Sequence, residues 1–323
     1  MKIAVAGSIA RDHLMTFPGN FTDAIVADSL ETLSLSFLVN DLDIRRGGTG
    51  ANIAFGLGVL GINPFLITAA GRDFDDYQAW LNRHGVDTSY VRISKDLLTA
   101  TFSCTTDLSQ RQIASFFPGA MIEGREIELA PILEKSGKFD LFIISPDDPE
   151  AMIRHTESAK EYGINFIADP SQTLASISGE NIRKLISGAK YLFMNEYELE
   201  LTLKKTGWSD GELLDAVEVR VTTLGGKGSR VESRGSKAIE IGVPQIREIV
   251  DPTGVGDSYR AGFVAGLAWG LSHERCGQIG ATIAAYCLET KGTQEYRFEK
   301  NEFIERLGKT YGREASEEVA ANL

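Results

Sequence analysis

The stretch DPTGVGDSYRAGF, residues 251 to 263, sets two aspartates around two glycines just where an apolar helical pattern begins. Glycine at a helix entry costs backbone entropy and is kept where the main chain needs room. Asp251, Gly254, Gly256 and Asp257 together point to something negative lying close to the backbone, with a carboxylate at the same place. A helix opening near Gly256 has first N–H groups without partners, carrying partial positive charge. Gly254 and Gly256 then frame an anion hole for the oxygens of a moving phosphoryl group. Asp257 stands where it could take the proton of a hydroxyl attacking phosphorus. A plain helix entry with an acidic first turn is the alternative.

Three further stretches carry the same kind of signal. In RGGTGANIAFGLGVLGINPFLITAAGRD (46–73), Gly47, Gly48 and Gly50 precede Asn52 at a helix start. The glycines let a ligand approach the main chain, and the Asn52 amide offers a donor and an acceptor to vicinal hydroxyls. Close packing of helix on strand would explain the same glycines. In TTLGGKG (222–228) a strand runs into Thr223, Gly225, Gly226 and Gly228, a loop of nucleotide-phosphate type or a hairpin turn. In NEYE, Asn195 and Glu198 stand three apart on one helix face, placed to position Mg²⁺ through water or to cap the helix.

Composition excludes several functions. The chain has 323 residues, 43% hydrophobic and 24% charged, enough for a large core. Its net charge of −12 comes without any basic run, which argues against nucleic-acid binding. Cys104, Cys276 and Cys287 are too scattered for a disulfide framework and read as small buried residues. The four histidines, 13, 84, 155 and 273, lack metal-ligand spacing. No run of eighteen apolar residues occurs, and the apolar run in MKIAVAGSIARD is too short for a signal peptide, so a cytoplasmic location is expected. There is no Walker A pattern, and no G-x-G-x-x-G after the first strand.

Strand and helix patterns alternate through most of the chain. KIAVAG, PFLITAAG, FDLFIIS, INFIADP, YLFMN and EVRVTT read as buried strands, with helices between them, an antiparallel pair at 229–243 and a last helix at about 300–312. Such alternation predicts an α/β fold with a mostly parallel sheet covered on both faces. Extra β-like runs fall outside it: LSLSFLVNDLDIRR (33–46), TATFSCTTD (99–107) and QIASFFPG (112–119). We expect one large domain whose two excursions, about 13–46 and 97–120, pair into a small β lid.

These motifs resemble the ribokinase-like (PfkB) kinase family. Gly47, Gly48, Gly50 and Asn52 match its G-G-x-G-x-N signature, and DPTGVGD matches its D-T-x-G-A-G-D, with Pro252 and Val255 departing from the usual residues. The resemblance implies an α/β/α sandwich with a β-sheet lid and ATP with Mg²⁺ as phosphoryl donor. It implies Asn195 and Thr223 through Gly228, Lys227 included, at the nucleotide, and Glu198 at a water-mediated Mg²⁺. GSIARDHLMTFPG, IASFFPGAM, ADPSQ and GTQE are similar to bacterial adenosine kinases of the actinobacterial type. That likeness implies adenosine as the small-molecule substrate, held by Ser8, Asp12, Ser36, Gly48 and Asn52. It places Phe102 and Phe116 on either side of the purine, Gln172 and Thr173 beside it, and Asp257 as base. Thr173 stands where a Gln is usual. The aromatic residues of the lid segments fit a flat purine better than a sugar, although they could form a small core of the lid's own. Ribokinase-like proteins often dimerise through the lid, so a homodimer is expected. A sugar kinase, another nucleoside kinase and a non-catalytic nucleotide sensor are the competing readings.

Overall fold

Short apolar runs without polar alternation become the strands of one sheet, because only a strand covered on both faces can bury every side chain. The computed structural model describes residues 1–24 and 36–323. The first part of the chain forms β1 (Ile3–Ala6), β2 (Ala10–Thr16), the single turn α1 (Phe21–Ala24), β3 (Asp41–Gly47), α2 (Thr49–Val59), β4 (Phe65–Ala70), α3 (Asp75–Arg83), β5 (Val91–Ile93), β6 (Ala100–Thr106) and β7 (Gln112–Phe117). Then follow α4 (Leu129–Ser136), β8 (Leu141–Ile144), α5 (Pro149–Glu161), β9 (Phe166–Ala168), α6 (Gly179–Ile186), β10 (Tyr191–Asn195), α7 (Glu196–Thr206), α8 (Asp210–Asp215) and β11 (Val219–Thr223). The chain continues through β12 (Ser229–Ser233), β13 (Ile239–Ile241), α9 (Val255–Ala268), α10 (His273–Leu288), α11 (Lys300–Tyr311) and α12 (Arg313–Ala320).

The main sheet has the order β13-β12-β11-β10-β9-β8-β1-β4-β5. It is parallel except where β12 pairs antiparallel with β11 and β13. Alternate residues of β1 serve opposite layers. Ile3 and Val5 pack with α2, α9, α10 and α11, whereas Ala4 and Ala6 pack with α4, α5 and α6. The result is the expected α/β/α sandwich.

A separate four-stranded sheet has the order β3-β2-β6-β7. Its middle pair, β2 and β6, is parallel, and both outer pairs are antiparallel. Asp12 pairs with Phe102, and Phe102 with Phe116, so one rung across the sheet carries all three. This small sheet differs from expectation at its edges. Its first strand opens at Ala10, before residue 13, and β3 opens only at Asp41. Residues 36–40 form no strand, and 33–35 lie outside the described residues. The reason is the partner strand: β2 ends at Thr16, opposite Asp41, and Pro18 beyond it lacks the N–H to continue a ladder. The C-terminal pattern also differs. Gly312, with φ of +96°, closes α11 and opens α12, a helix beyond the last one read from sequence.

One close approach seats α2 against the sheet. A methyl group on Gly50 would lie 2.5 Å from the Gly7 carbonyl, and one on Gly7 would lie 2.8 Å from Gly50 Cα. The end of β1 and the first turn of α2 thus touch main chain to main chain. Gly50→Ala should lower folding stability by roughly 1–3 kcal/mol, because α2 must shift off the sheet. Urea denaturation measures this, and a wild-type midpoint would contradict the packing account.

Candidate active site

The two glycine-rich segments meet at the ends of parallel strands, where open α/β sheets bind their ligands. At the α2 entry Gly48 takes φ of +94°, and a Cβ there would stand 2.5 Å from the Ser8 carbonyl oxygen. A Cβ on Gly47 would stand 2.5 Å from an Asp12 carboxylate oxygen. The first duty of these glycines is therefore close chain crossing, the packing alternative, although Gly48 also faces a cavity. Gly48 has no side chain to cap α2, and the Ser8 hydroxyl does so, accepting from Thr49 N at 3.2 Å. Burial, then the charges of Asp251 and Asp257, push the Asp12 carboxyl up to about 6.

The α9 entry turns on Gly254, whose φ of +76° brings it against Thr293. Asp251 ties this entry to a neighbouring loop, accepting from Thr253 N at 2.9 Å and Gly292 N at 3.0 Å. Asp257, in the first turn of α9, accepts from Asn52 Nδ2 at 2.8 Å across 205 residues of sequence. Protein encloses its carboxylate except towards the cavity. Burial raises its pKa; the Arg260 guanidinium and the Asn52 bond oppose the rise, and Glu198 adds to it. Arg260 lies one turn further along α9 and forms a buried ion pair with Asp169 at 2.6 Å.

Two cavities flank this helix entry. One, of about 550 Å³, is lined by Ser8, Asp12, Asn52, Phe102, Phe116 and Gln172, with Gly48, Thr173, Gly254 and Asp257 on its walls. The other, of about 410 Å³, is mostly apolar and is lined by Thr223, Gly225, Gly226, Gly228, Val255 and Gly256. Successive residues of one turn thus face opposite ways: Gly254 and Asp257 towards the first cavity, Val255 and Gly256 towards the second. The structure brings together most of the residues picked out from sequence, on two sides of one wall.

Some residues stand elsewhere. Ser36 is exposed and lines neither cavity. Lys227 points outward, 3.8 Å from Glu196, while the glycines around it line the second cavity. Asn195 and Glu198 form a reciprocal helix cap, with Asn195 Oδ1 accepting from Glu198 N and Glu198 Oε2 accepting from Asn195 N, each at 2.8 Å. Ser171 Oγ donates to the other Glu198 oxygen at 3.0 Å. Each Glu198 oxygen thus accepts one bond and keeps one lone pair. Among the described residues no group of three or more His, Cys, Asp or Glu is placed to hold a metal ion. The aromatic residues of the small sheet divide. Phe102 and Phe116 face the cavity, whereas Phe37 packs on Phe17 and Phe21, each at 5.0 Å between ring centres.

Asp147, Thr253, Thr293 and Met121 also line the first cavity, and sequence reasoning missed them. Asp147 is 5% exposed, accepts from Asp148 N at 2.8 Å and from Thr68 Oγ1 at 3.3 Å, and burial pushes its carboxyl up to about 7. The run SPDDPE hid it, because the second aspartate, Asp148, is the cap of α5 and explains the acidic pair locally.

Comparison with known proteins shows the family. Residues 18–300 match the family model described as pfkB family carbohydrate kinase. The chain belongs to the pfkB family of carbohydrate kinases. A nucleoside kinase of Methanocaldococcus jannaschii is 32% identical over 266 residues, 81% of this chain and 85% of that protein. The nucleoside kinase of Burkholderia thailandensis, solved in complex with inosine, superposes with a TM-score of 0.84 at 31% identity, covering 96% of this chain and 98% of that one. A ribokinase of Haemophilus influenzae is 25% identical over 318 residues, 94% of this chain and 98% of that protein. The pfkB assignment makes the chain a phosphotransferase of the nucleoside and sugar kinase type. Among the described residues no helix is long and apolar enough to cross a membrane.

The Asp147 carboxyl gives a signed prediction for this kinase. Its folded pKa lies above the unfolded value, so its contribution to stability is full below about pH 4 and is lost as pH rises through about 7. Asp147→Asn removes that loss. The variant should gain on the order of 1–4 kcal/mol relative to wild type at pH 8 and little at pH 4. Thermal melts at both pH values test this, and an equal shift at both contradicts it.

Proposed function

We propose that this kinase transfers the γ-phosphoryl group of Mg·ATP to the 5′-hydroxyl of adenosine, giving AMP and ADP. The observation that carries the reading is the shared wall: a single helix entry separates an aromatic, carboxylate-lined cavity from an apolar one walled by a glycine loop. The nucleoside occupies the first cavity and the nucleotide the second. Asp257 accepts the proton of the 5′-hydroxyl as that oxygen attacks the γ-phosphorus. The bond from phosphorus to the bridging oxygen breaks, its electron pair leaving with ADP. The amides at Gly254 to Gly256 hold the transferring oxygens, and Arg260 balances the buried charge of Asp257 and Asp169. Glu198 would hold a water of the Mg²⁺ shell, and charge neutralisation on the phosphates is what the ion would supply there.

Nucleoside kinases among the relatives support a nucleoside over a free sugar. Phe102 and Phe116 offer faces to a flat base. The Gln172 amide offers a donor and an acceptor together, the pairing adenine presents on one edge. Asp147 adds an acceptor for a base N–H. Asp12 takes a hydroxyl of the ribose. Asn52 Oδ1 accepts from Gln294 Nε2 and faces Thr293 Oγ1, so Asn52 meets the sugar through its NH₂.

Assays of ADP release with adenosine, inosine, guanosine, ribose and fructose test the substrate. Adenosine should turn over best, with little turnover on free sugars. Phe102→Ala and Phe116→Ala should each raise the adenosine KM about tenfold, from loss of stacking. Turnover on ribose alone would discard the nucleoside reading. Asp257→Asn should lower kcat by about 10²–10⁴-fold while the nucleoside still binds. The outer face of the small sheet presents Leu42, Ile44, Ile113 and Phe117, between 44% and 57% exposed. A homodimer covers that face in our reading. Phe117→Ser combined with Ile113→Ser should convert a dimer to a monomer by light scattering, and a monomeric wild type would refute the pairing.

A further inference from the structure

Behind Asn52 lies a buried chain of hydrogen bonds that the reaction as described does not use. Tyr77 OH donates to the Gly47 carbonyl at 2.8 Å. Gln294 Nε2 donates to Tyr77 OH at 2.5 Å and to Asn52 Oδ1 at 2.9 Å. Thr293 Oγ1 reaches the same Asn52 oxygen at 2.9 Å and the Arg46 carbonyl at 2.8 Å. Tyr77, Gln294 and Asn52 are at most 5% exposed.

The chain can run in only one direction. A backbone carbonyl accepts and never donates, so Gly47 takes the single phenol proton of Tyr77. The Tyr77 oxygen must then receive a proton, and only the NH₂ end of Gln294 can supply it. The other proton of that NH₂ points at Asn52, which answers with its oxygen. Thr293 has one hydroxyl proton for two acceptors, the Arg46 carbonyl and Asn52 Oδ1, so the Gln294 NH₂ is what fixes the Asn52 amide. Asn52 is left with its NH₂ towards Asp257. An asparagine amide is otherwise nearly symmetric and could turn its oxygen to the carboxylate. The arrangement has a cost: Gln294 Oε1 is buried with no partner among the described residues. Leaving such an acceptor unpaired costs about 1–3 kcal/mol, which a purely structural glutamine would avoid.

We infer that Tyr77 and Gln294 are positioning residues, acting through Asn52 to hold a hydrogen-bond donor against Asp257. The inference rests on reading Asp257 as the base. A donor there favours the ionised carboxylate, the form that accepts a proton. The other groups facing Asp257 are Arg260 from its own helix, Glu198 from α7, Asp12 from β2, Asp169 beyond β9, Cys287 from α10 and Tyr296. Of these only Arg260 is a cation. Reversal of Asn52 would set an oxygen against the carboxylate, and the base would stay protonated to higher pH.

The test is kcat for adenosine against pH, from about pH 5.5 to 9, in wild type, Gln294→Glu, Tyr77→Phe and Asp257→Asn. A glutamate at 294 has no NH₂ to give either neighbour. Phenylalanine at 77 removes the acceptor that fixes the Gln294 amide. The acid limb should move to higher pH in both variants. At neutral pH kcat should fall about tenfold in Gln294→Glu and a few-fold in Tyr77→Phe. Lower melting temperature or uniformly lower kcat, with the limb unmoved in Tyr77→Phe, would overturn the inference. Should Gln294→Glu fail to fold, Tyr77→Phe decides alone. Asp257→Asn separates the two claims: if it keeps substantial turnover and the same acid limb, the base assignment falls, and the positioning role with it. If it is inactive while Tyr77→Phe titrates like wild type, only the positioning role falls.

Discussion

The site exists because two helices can start almost in contact. A methyl group on Gly56 of α2 would stand 2.6 Å from the Ala261 methyl of α9, and Gly262 of α9 sits equally close to Gly280 of α10. Side chains of ordinary size at these positions would separate the helix axes and draw Asn52 away from Asp257. The bond between those two residues is thus a consequence of small residues a turn or more deeper in the core. Everything else at the site, from the Thr293 contact with Gly254 to the burial of Arg260, is referred to that spacing.

The same wall solves an electrostatic problem for an acidic chain. Phosphates must be brought to a protein of net charge −12, near Asp12, Asp169, Glu198 and Asp257. In the proposed reaction, the buried Arg260 guanidinium and the backbone amides of the α9 entry would supply the local positive potential, fixed in place as such dipoles must be to act on a developing charge.

Much of this was legible in the sequence, and the limits have physical causes. Buried strands announce themselves as apolar runs, so the main sheet and its order of strands and helices could be read. The two glycine signatures marked both helix entries. The start of β3 could not be read, since alternation in 33–46 does not say where its partner strand stops. Ser36 was placed by likeness and stands outside the cavity. Asn195 and Glu198 were ambiguous because a capping pair and a metal-positioning pair share one spacing. Gln294 was invisible as a functional residue, since its meaning depends on Tyr77, more than two hundred positions away, and on the direction of a phenol proton. GTQE drew attention only through resemblance.

The rung that carries Asp12, Phe102 and Phe116 makes the small sheet a caliper. Neighbours on one face of a sheet are held at nearly constant spacing. The distance from the Asp12 carboxylate to the paired rings is therefore set by the backbone. Under the proposed nucleoside reading, a ligand would be gauged by its length from hydroxyl to ring before its edge atoms are read, and exchange of residues at the rim, as at Gln172 or Thr173, would leave that span as the strands set it.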